Sequence, residues 1–317
     1  MNKKIVYVTG CLGFIGSHVT ETCLKKGWYV IGVDKCTYAS NPACVDSWSM
    51  RYNDQFHFIK SDINDLTRLY DCDYIINTAA ETHVDNSIED SDLFVHSNIN
   101  GVHNLLKLIN KKKYKRPVLL HFSTDEVYGD IEAGAHVETD LLKPSNPYSA
   151  TKAAADHLVT SWGRTFGLPY VIVRPTNNYG IGQYVEKLIP KTVKYLSVGR
   201  KVDLHNNGEP IRTWLFAGDT ANAVITIIES GITNEIYNIS GNYETANINV
   251  VDKIVKLMYP EHDVIPWDYI EHLERVGQDV RYSIDDSKLQ KLGWNATAKF
   301  DTELVKIVEY YKDNFIW

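Results

Sequence analysis

A tyrosine four residues ahead of a lysine, in Tyr148-Ser149-Ala150-Thr151-Lys152, and the stretch Ser123-Thr124-Asp125-Glu126-Val127-Tyr128-Gly129 bring two kinds of proton chemistry into one chain. On a helix, residues four apart share a face, so the Lys152 ammonium would stand beside the Tyr148 phenol. A neighbouring cation favours the phenolate and draws its pKa down from about 10 toward working pH. Such a base suits hydride transfer at a carbinol. Asp125 and Glu126 are adjacent carboxyls, and two carboxyls sharing a site favour one protonated acid beside one ionised base. That pair suits the removal of water. Together the two sets point to a dehydration driven by a transient oxidation.

The elements that must hold these residues follow a βαβ rhythm. Apolar strands are predicted at 4–9, 29–34, 56–60, 74–78, 118–123 and 170–173, with helices at 13–26, 93–110 and 151–166. Near-continuous apolar strands alternating with helices imply a parallel sheet covered on both faces, an α/β, Rossmann-type doubly wound fold. Thr124, Asp125 and Glu126 then stand at the carboxyl end of a strand, where open parallel sheets bind ligands. Neighbouring side chains of a strand point to opposite faces, so both carboxylates reach one cleft only if the strand has already broken into a turn. Otherwise Asp125 caps the next segment and Glu126 is solvated.

The run Gly10-Cys11-Leu12-Gly13-Phe14-Ile15-Gly16 follows the first strand and opens the first helix, so backbone N–H groups and the helix dipole can face a pyrophosphate. The second strand ends in Asp34-Lys35, with Asp34 placed 18 residues after Gly16. A carboxylate there hydrogen-bonds a ribose diol and repels a 2′-phosphate, which selects NAD over NADP. Asp62-Ile63 is placed to cover an adenine, and Ala79-Ala80 with Glu81-Thr82 to line the nicotinamide side, though either can equally be an ordinary loop. Cys11 stands at a helix start, where the dipole lowers a thiol pKa, or packs as a small residue beneath the cofactor.

The formal net charge of −7 across 317 residues excludes a basic nucleic-acid surface, and Lys111-Lys112-Lys113 reads as a solvated helix end. Five scattered cysteines show no metal spacing and read as reduced thiols. No apolar run reaches the roughly 18 residues of a membrane span, and the expectation is a soluble, cytoplasmic protein with no membrane or metal. After Arg174-Pro175 the pattern loosens into turn-rich Asn177-Asn178-Tyr179-Gly180 and Asn206-Asn207-Gly208-Glu209-Pro210. A smaller, interleaved C-terminal lobe is expected: 1–174 with about 212–236 form the NAD-binding domain, and about 175–211 with 237–317 the substrate lobe.

These residues carry a resemblance to the extended short-chain dehydrogenase/reductases, and within them to the nucleoside-diphosphate-glucose 4,6-dehydratases. It runs through Thr9 to Ser17, Val33-Asp34-Lys35, Ala79-Ala80-Glu81-Thr82-His83-Val84-Asp85, Ser123 to Gly129, Tyr148 to Lys152, Arg174 to Gly180, and Glu186-Lys187-Leu188-Ile189-Pro190. Thr124-Asp125-Glu126 is the discriminating element, since the similar 4-epimerases usually lack the Asp-Glu dipeptide. The resemblance implies that Tyr148 removes the O4 proton, Thr124 hydrogen-bonds that oxygen, and Lys152 stabilises the phenolate. It implies that Glu126 takes the C5 proton and Asp125 protonates the departing C6 hydroxyl, on dTDP- or UDP-glucose. For the nucleotide sugar it points to His83, Thr124, Asn178, Lys187, Leu188, His205, Arg212, Asn247, Arg275 and Tyr282, and to a homodimer pairing the helices near 93–110 and 151–166. The chain departs from the pattern at Cys11, at Asp203-Leu204-His205-Asn206 and at Arg275-Val276-Gly277-Gln278-Asp279. His205 is similar to the UDP-glucose enzymes. A 4-epimerase, or an NAD-binding sensor without catalysis, would share the rest, although a sensor is expected to lose Tyr148 or Lys152.

Overall fold

A computed structural model of the chain describes residues 3–260, 266–274 and 279–315. In chain order the elements are β1 (Ile5–Thr9), α1 (Phe14–Lys25), β2 (Tyr29–Asp34), α2 (Ala43–Tyr52), β3 (Phe56–Lys60), β4 (Tyr74–Asn77), α3 (Val84–Glu89), α4 (Asp92–Phe94), α5 (Gly101–Asn110), β5 (Val118–Phe122), α6 (Pro147–Phe166), β6 (Tyr170–Pro175) and β7 (Asn177–Tyr179). They continue as α7 (Leu188–Ser197), β8 (Val202–His205), β9 (Ile211–Phe216), α8 (Ala217–Ser230), β10 (Glu235–Ile239), β11 (Tyr243–Ala246), α9 (Asn247–Met258), β12 (Ile270–Leu273), α10 (Ser287–Gln290) and α11 (Phe300–Asp313).

Seven strands form one parallel sheet in the order β10-β6-β5-β4-β1-β2-β3. Alternation along each strand feeds two cores. Val6, Val8, Leu120 and Phe122 face α1 and α8, while Tyr7, Ile75 and Leu119 face α5 and α6. Each fully buried aliphatic side chain contributes roughly 1.5–3 kcal/mol, so both faces are closed and the polar ligand groups are left to the strand ends. Chain order reverses between β1 and β4, and the crevice at their carboxyl ends is where a doubly wound sheet takes its ligand.

A third core belongs to the remaining elements. β7, β9 and β11 form a three-stranded sheet, β8 and β12 a parallel pair, and α7, α9 and α11 bury Ile189, Val193, Val250, Ile254, Leu304 and Ile307 among them. The return toward the main sheet differs in detail from the expected 212–236. β9 pairs with β7 and β11, and β10 runs on to Ile239 as the edge strand beside β6, because Ile239 still has Pro175 as its strand partner.

Local chemistry explains the ends that matter. Asn146 accepts from the Ser149 N–H at 2.9 Å while the Ser149 hydroxyl receives the Asn146 N–H at 3.3 Å, a reciprocal cap with Pro147 at the first helical position. Helix α6 therefore begins at Pro147, four residues earlier than expected, and Gly167 in a left-handed conformation (φ 63°) ends it. The helix expected as one piece at 93–110 is interrupted by π-helical turns over Val95–Asn100, with Ser97 and Asn98 buried there. Insertions of this kind re-aim side chains. Asn98 donates to the Glu81 carbonyl at 3.1 Å and to the Thr151 hydroxyl at 3.0 Å, tying the β4 exit loop to α6.

Candidate active site

The glycine turn is a cradle that side chains would fill. Gly10 has φ 72°, and a Cβ there would lie 2.7 Å from the Ala79 backbone; one on Gly16 would lie 2.0 Å from the Gly10 carbonyl oxygen. Closing the turn this tightly leaves the start of α1 open to a ligand's phosphates. Gly16→Ala must open it, an overpacking that costs about 1–3 kcal/mol. The expected result is a lower Tm together with loss of retained dinucleotide, read by thermal melting and by ultraviolet analysis of the extracted cofactor. Cys11 does not line the cavity. It is fully buried against Gly32, and burial drives its thiol well above the ordinary range, so the dipole's lowering effect does not win.

A cavity of about 310 Å³ runs from this turn across the sheet. Its walls bring together Gly10, Gly13, Phe14, Ile15, Gly16, Asp34, Lys35, Asp62, Ile63, Ala79, Ala80 and Tyr148. Asp34 is fixed by the Leu12 N–H at 3.0 Å, the Cys36 N–H at 2.8 Å and the Ser40 hydroxyl at 2.9 Å. A carboxylate offers about four lone-pair sites, so capacity for a ribose hydroxyl is left. Lys35 lies 3.1 Å from Glu81 and 3.7 Å from Asp62, which neutralises the cation that a 2′-phosphate would otherwise seek. The residues fit NAD.

At the far end, β5 breaks after Phe122. Thr124 is extended (φ −156°) and its hydroxyl accepts the Glu126 N–H at 3.3 Å, capping a single 3-10 turn over Asp125–Tyr128. The strand has ended before the two carboxylates, so Asp125 and Glu126 both face the cavity with Tyr148. Their environments differ. Burial, and then the Glu126 charge, push Asp125 up to about 7, and its Oδ2 is buried without a hydrogen-bond partner. Burial also raises Glu126, but Arg212, a hydrogen bond with Asn146 and Lys187 all favour its ionised form. The arrangement separates an acid from a base.

Lys152 departs from expectation. Its ammonium donates to the Phe122 carbonyl at 2.5 Å, and burial pulls it down to about 8 against the opposing Asp156 charge. The Tyr148 phenol is accordingly not lowered here: burial, followed by Glu126, drives it far above its ordinary value, while a hydrogen bond with Thr124 works the other way. Beneath Lys152, Asp156 makes a buried ion pair with Arg174 at 3.0 Å.

A second cavity of about 480 Å³ adjoins the first, sharing Glu126, Asn178 and Lys187 with it. It collects His83, Asn178, Lys187, Leu188, His205, Arg212, Asn247 and Tyr282, whereas Arg275 lies outside the described residues. Arg212 stacks over Tyr282 at 4.3 Å, and the Tyr282 hydroxyl donates to Asp279. The Asn178 amide already bonds the Thr176 carbonyl and the Thr220 hydroxyl, and His83 caps α3 through Asn86. His205 lies 3.7 Å from Asp85, with its Nδ1 buried and unpartnered. Sequence reasoning missed Asn98 and Asn146. The Asn146-Pro147 start signal was available for the second. Among the described residues, no group of three or more His, Cys, Asp or Glu could hold a metal, and no helix is long and apolar enough to cross a membrane.

A glycine turn at the β1–α1 junction, an acidic β2 end and a Tyr148–Lys152 helix facing the same crevice define a dinucleotide-binding scaffold of the extended short-chain dehydrogenase/reductase class. The family model described as GDP-mannose 4,6 dehydratase matches residues 7–307, and the chain belongs to that family. A probable dTDP-glucose 4,6-dehydratase of Sinorhizobium fredii is 38% identical over 98% of this chain and 94% of its own length. A trifunctional UDP-glucose 4,6-dehydratase, UDP-4-keto-6-deoxy-D-glucose 3,5-epimerase and UDP-4-keto-L-rhamnose reductase of Arabidopsis thaliana is 37% identical over 99% of this chain and 48% of its own. Among solved structures, a dTDP-glucose 4,6-dehydratase from Streptomyces venezuelae, determined with NAD bound, superposes with a TM-score of 0.90 at 33% identity, covering 98% and 97% of the two chains.

Proposed function

We propose that this chain is an NAD-dependent hydro-lyase that converts a nucleoside-diphosphate glucose, dTDP- or UDP-glucose, to its 4-keto-6-deoxy sugar. The observation that carries the reading is the pair Asp125 and Glu126, unequal in proton affinity, in one cavity wall with Tyr148. Gly10, Gly13, Gly16, Asp34 and Lys35, with Asp62, Ile63, Ala79 and Ala80 along the same cavity, would hold NAD, which when bound would supply the hydride acceptor for C4 and the donor for C6. Tyr148 takes the O4 proton while Thr124 holds that oxygen. The resulting C4 ketone acidifies C5. Glu126 then takes the C5 proton as Asp125 protonates the C6 hydroxyl, which leaves as water.

For the nucleotide diphosphate, support comes from Arg212 and Lys187 and from helices α7 and α9, whose N-termini reach the second cavity at Leu188 and Asn247 without a side-chain cap. His205, Asn178, Tyr282, His83 and Arg275 complete the proposed nucleotide-sugar set. The two-lobe division follows the cores: the seven-stranded sheet holds the cofactor and the smaller lobe holds the nucleotide. A homodimer through α3–α5 and α6 is supported by exposed Ile88, Leu93, Val95 and Phe166, and light scattering tests it. A cytoplasmic site of action is consistent with five cysteines left as free thiols.

Incubation with each nucleotide sugar, followed by mass spectrometry, tests the function. The expected product is lighter by one water. A product of unchanged mass is the outcome for a 4-epimerase.

The pH dependence has a definite sign. Asp125 must be protonated and Glu126 ionised, so elimination slows as pH rises through about 7 and again as it falls through the raised Glu126 value. Because the folded pKa of Asp125 stands above its unfolded value of about 3.9, its contribution to stability is present at low pH and is lost as pH rises toward and through about 7. Asp125→Asn removes the buried charge. Its Tm advantage over the parent is expected to grow from about pH 5 to about pH 8, and melting curves at the two values check it.

A further inference from the structure

Three buried side chains that line neither cavity, Tyr128, Asp156 and Arg174, join the two elements of the site from behind. Arg174, on β6, directs its Nε and Nη2 to Asp156 Oδ2, each at 3.0 Å, and its Nη1 to the Tyr128 hydroxyl at 2.7 Å. Its guanidinium carbon also lies 4.7 Å from the centre of the Tyr128 ring. Tyr128 ends the 3-10 turn that carries Asp125 and Glu126. Asp156 lies on α6, one helical turn beyond Lys152 and two beyond Tyr148, so the three share a face.

The Tyr128 hydroxyl accepts from Arg174 and donates to Asn238 Oδ1 at 2.8 Å. Asn238 stands opposite Arg174 in the register of β6 and β10. Its amide nitrogen donates to the His136 and Asp285 carbonyls at 3.1 and 3.0 Å, which leaves the oxygen for Tyr128. The phenol is therefore held from two strands at once. A planar guanidinium with donors in fixed directions sets the separation of its partners, as a flexible ammonium cannot. Other polar holds on the turn, the Thr124 cap and the Lys143 N–H on the Val127 carbonyl at 3.0 Å, do not reach α6. Apolar packing of Val127 and Tyr128 on Ala153 fills the gap without fixing a distance.

Taking the dehydratase reading as given, one bound sugar must meet Tyr148 at O4 and the two carboxylates at C5 and C6. Tyr148 rides on α6 and the carboxylates on the turn. We propose that Arg174 is a positioning residue that, through Tyr128 and Asp156, fixes the turn against α6 and so sets how efficiently elimination follows oxidation. It acts on the sugar only through the elements it joins.

The test compares Tyr128→Phe, which keeps the ring and loses both hydrogen bonds, with Arg174→Lys, which keeps a cation for Asp156 and loses the rigid link. Ile254→Val, in the core of the smaller lobe, is the control for lost stability alone. Reduced cofactor is followed by stopped flow and product by mass spectrometry, with dTDP-glucose or UDP-glucose, whichever the parent dehydrates, below the Tm of every variant. In Tyr128→Phe and Arg174→Lys, C4 oxidation is expected to stay within about threefold of the parent while elimination falls at least about tenfold, a modest part of the roughly hundredfold that a 1 Å misplacement costs. The 4-keto sugar that still carries its C6 hydroxyl then builds up, and Ile254→Val keeps the parent ratio of the two rates. If Tyr128→Phe lowers both rates by the same factor, or neither, the link is structural only and the proposal is overturned. Absence of a lighter product from the parent with either sugar is a distinct result, which sinks the dehydratase reading and the proposal with it.

Discussion

Tyr148→Phe lowers the rate of C4 oxidation in a single turnover by about a thousandfold, within the range that a positioned acid or base contributes. The ring is kept, so its edge contact with Phe94 at a centroid distance of 6.4 Å survives and folding is spared. Only the phenol oxygen is lost. Stopped-flow detection of reduced cofactor after mixing with substrate measures the step. Reduction at the parent rate would show that another group takes the O4 proton.

The second large effect separates oxidation from elimination. Asp125→Asn and Glu126→Gln keep hydrogen-bonding capacity but cannot exchange protons, so water loss falls by about a hundredfold or more while C4 oxidation persists. Reduced cofactor and the 4-keto sugar that still carries its C6 hydroxyl are expected to build up. Solvent deuterium exchange at C5 should fall most in Glu126→Gln, because Arg212, Asn146 and Lys187 favour the ionised form in that residue. Formation of the lighter product at the parent rate by both variants would leave the carboxylates a structural role only.

The β1–α1 turn, Asp34, the alternating parallel strands and the Tyr148–Lys152 spacing were legible in the sequence because each is a local pattern with a local cause. The strand break at Phe122 was not: sequence offered two outcomes for Asp125 and Glu126, and the Thr124 cap decides between them through a hydroxyl-to-backbone bond that spacing does not encode. The π-helical turns at Val95–Asn100 were hidden for a related reason, since the stretch fits a helical period while Asn98 is drawn inward by Glu81 and Thr151 from distant segments. The same limit explains Lys152. Its distance in sequence from Tyr148 predicted an ammonium acting on the phenol, but the β5 terminus brings the Phe122 carbonyl within 2.5 Å and captures it. Helices α7, α9 and α11 escaped notice because their apolar faces bury one another across long sequence separations rather than against the main sheet.

The central claim, a dehydration with internal hydride return, is tested most directly with a nucleoside-diphosphate glucose carrying deuterium at C4. Product from the purified protein should be lighter by one water and should keep the label, now on C6 as located by nuclear magnetic resonance. Label retained at C4 in a product of unchanged mass, or lost from a dehydrated one, would contradict the account.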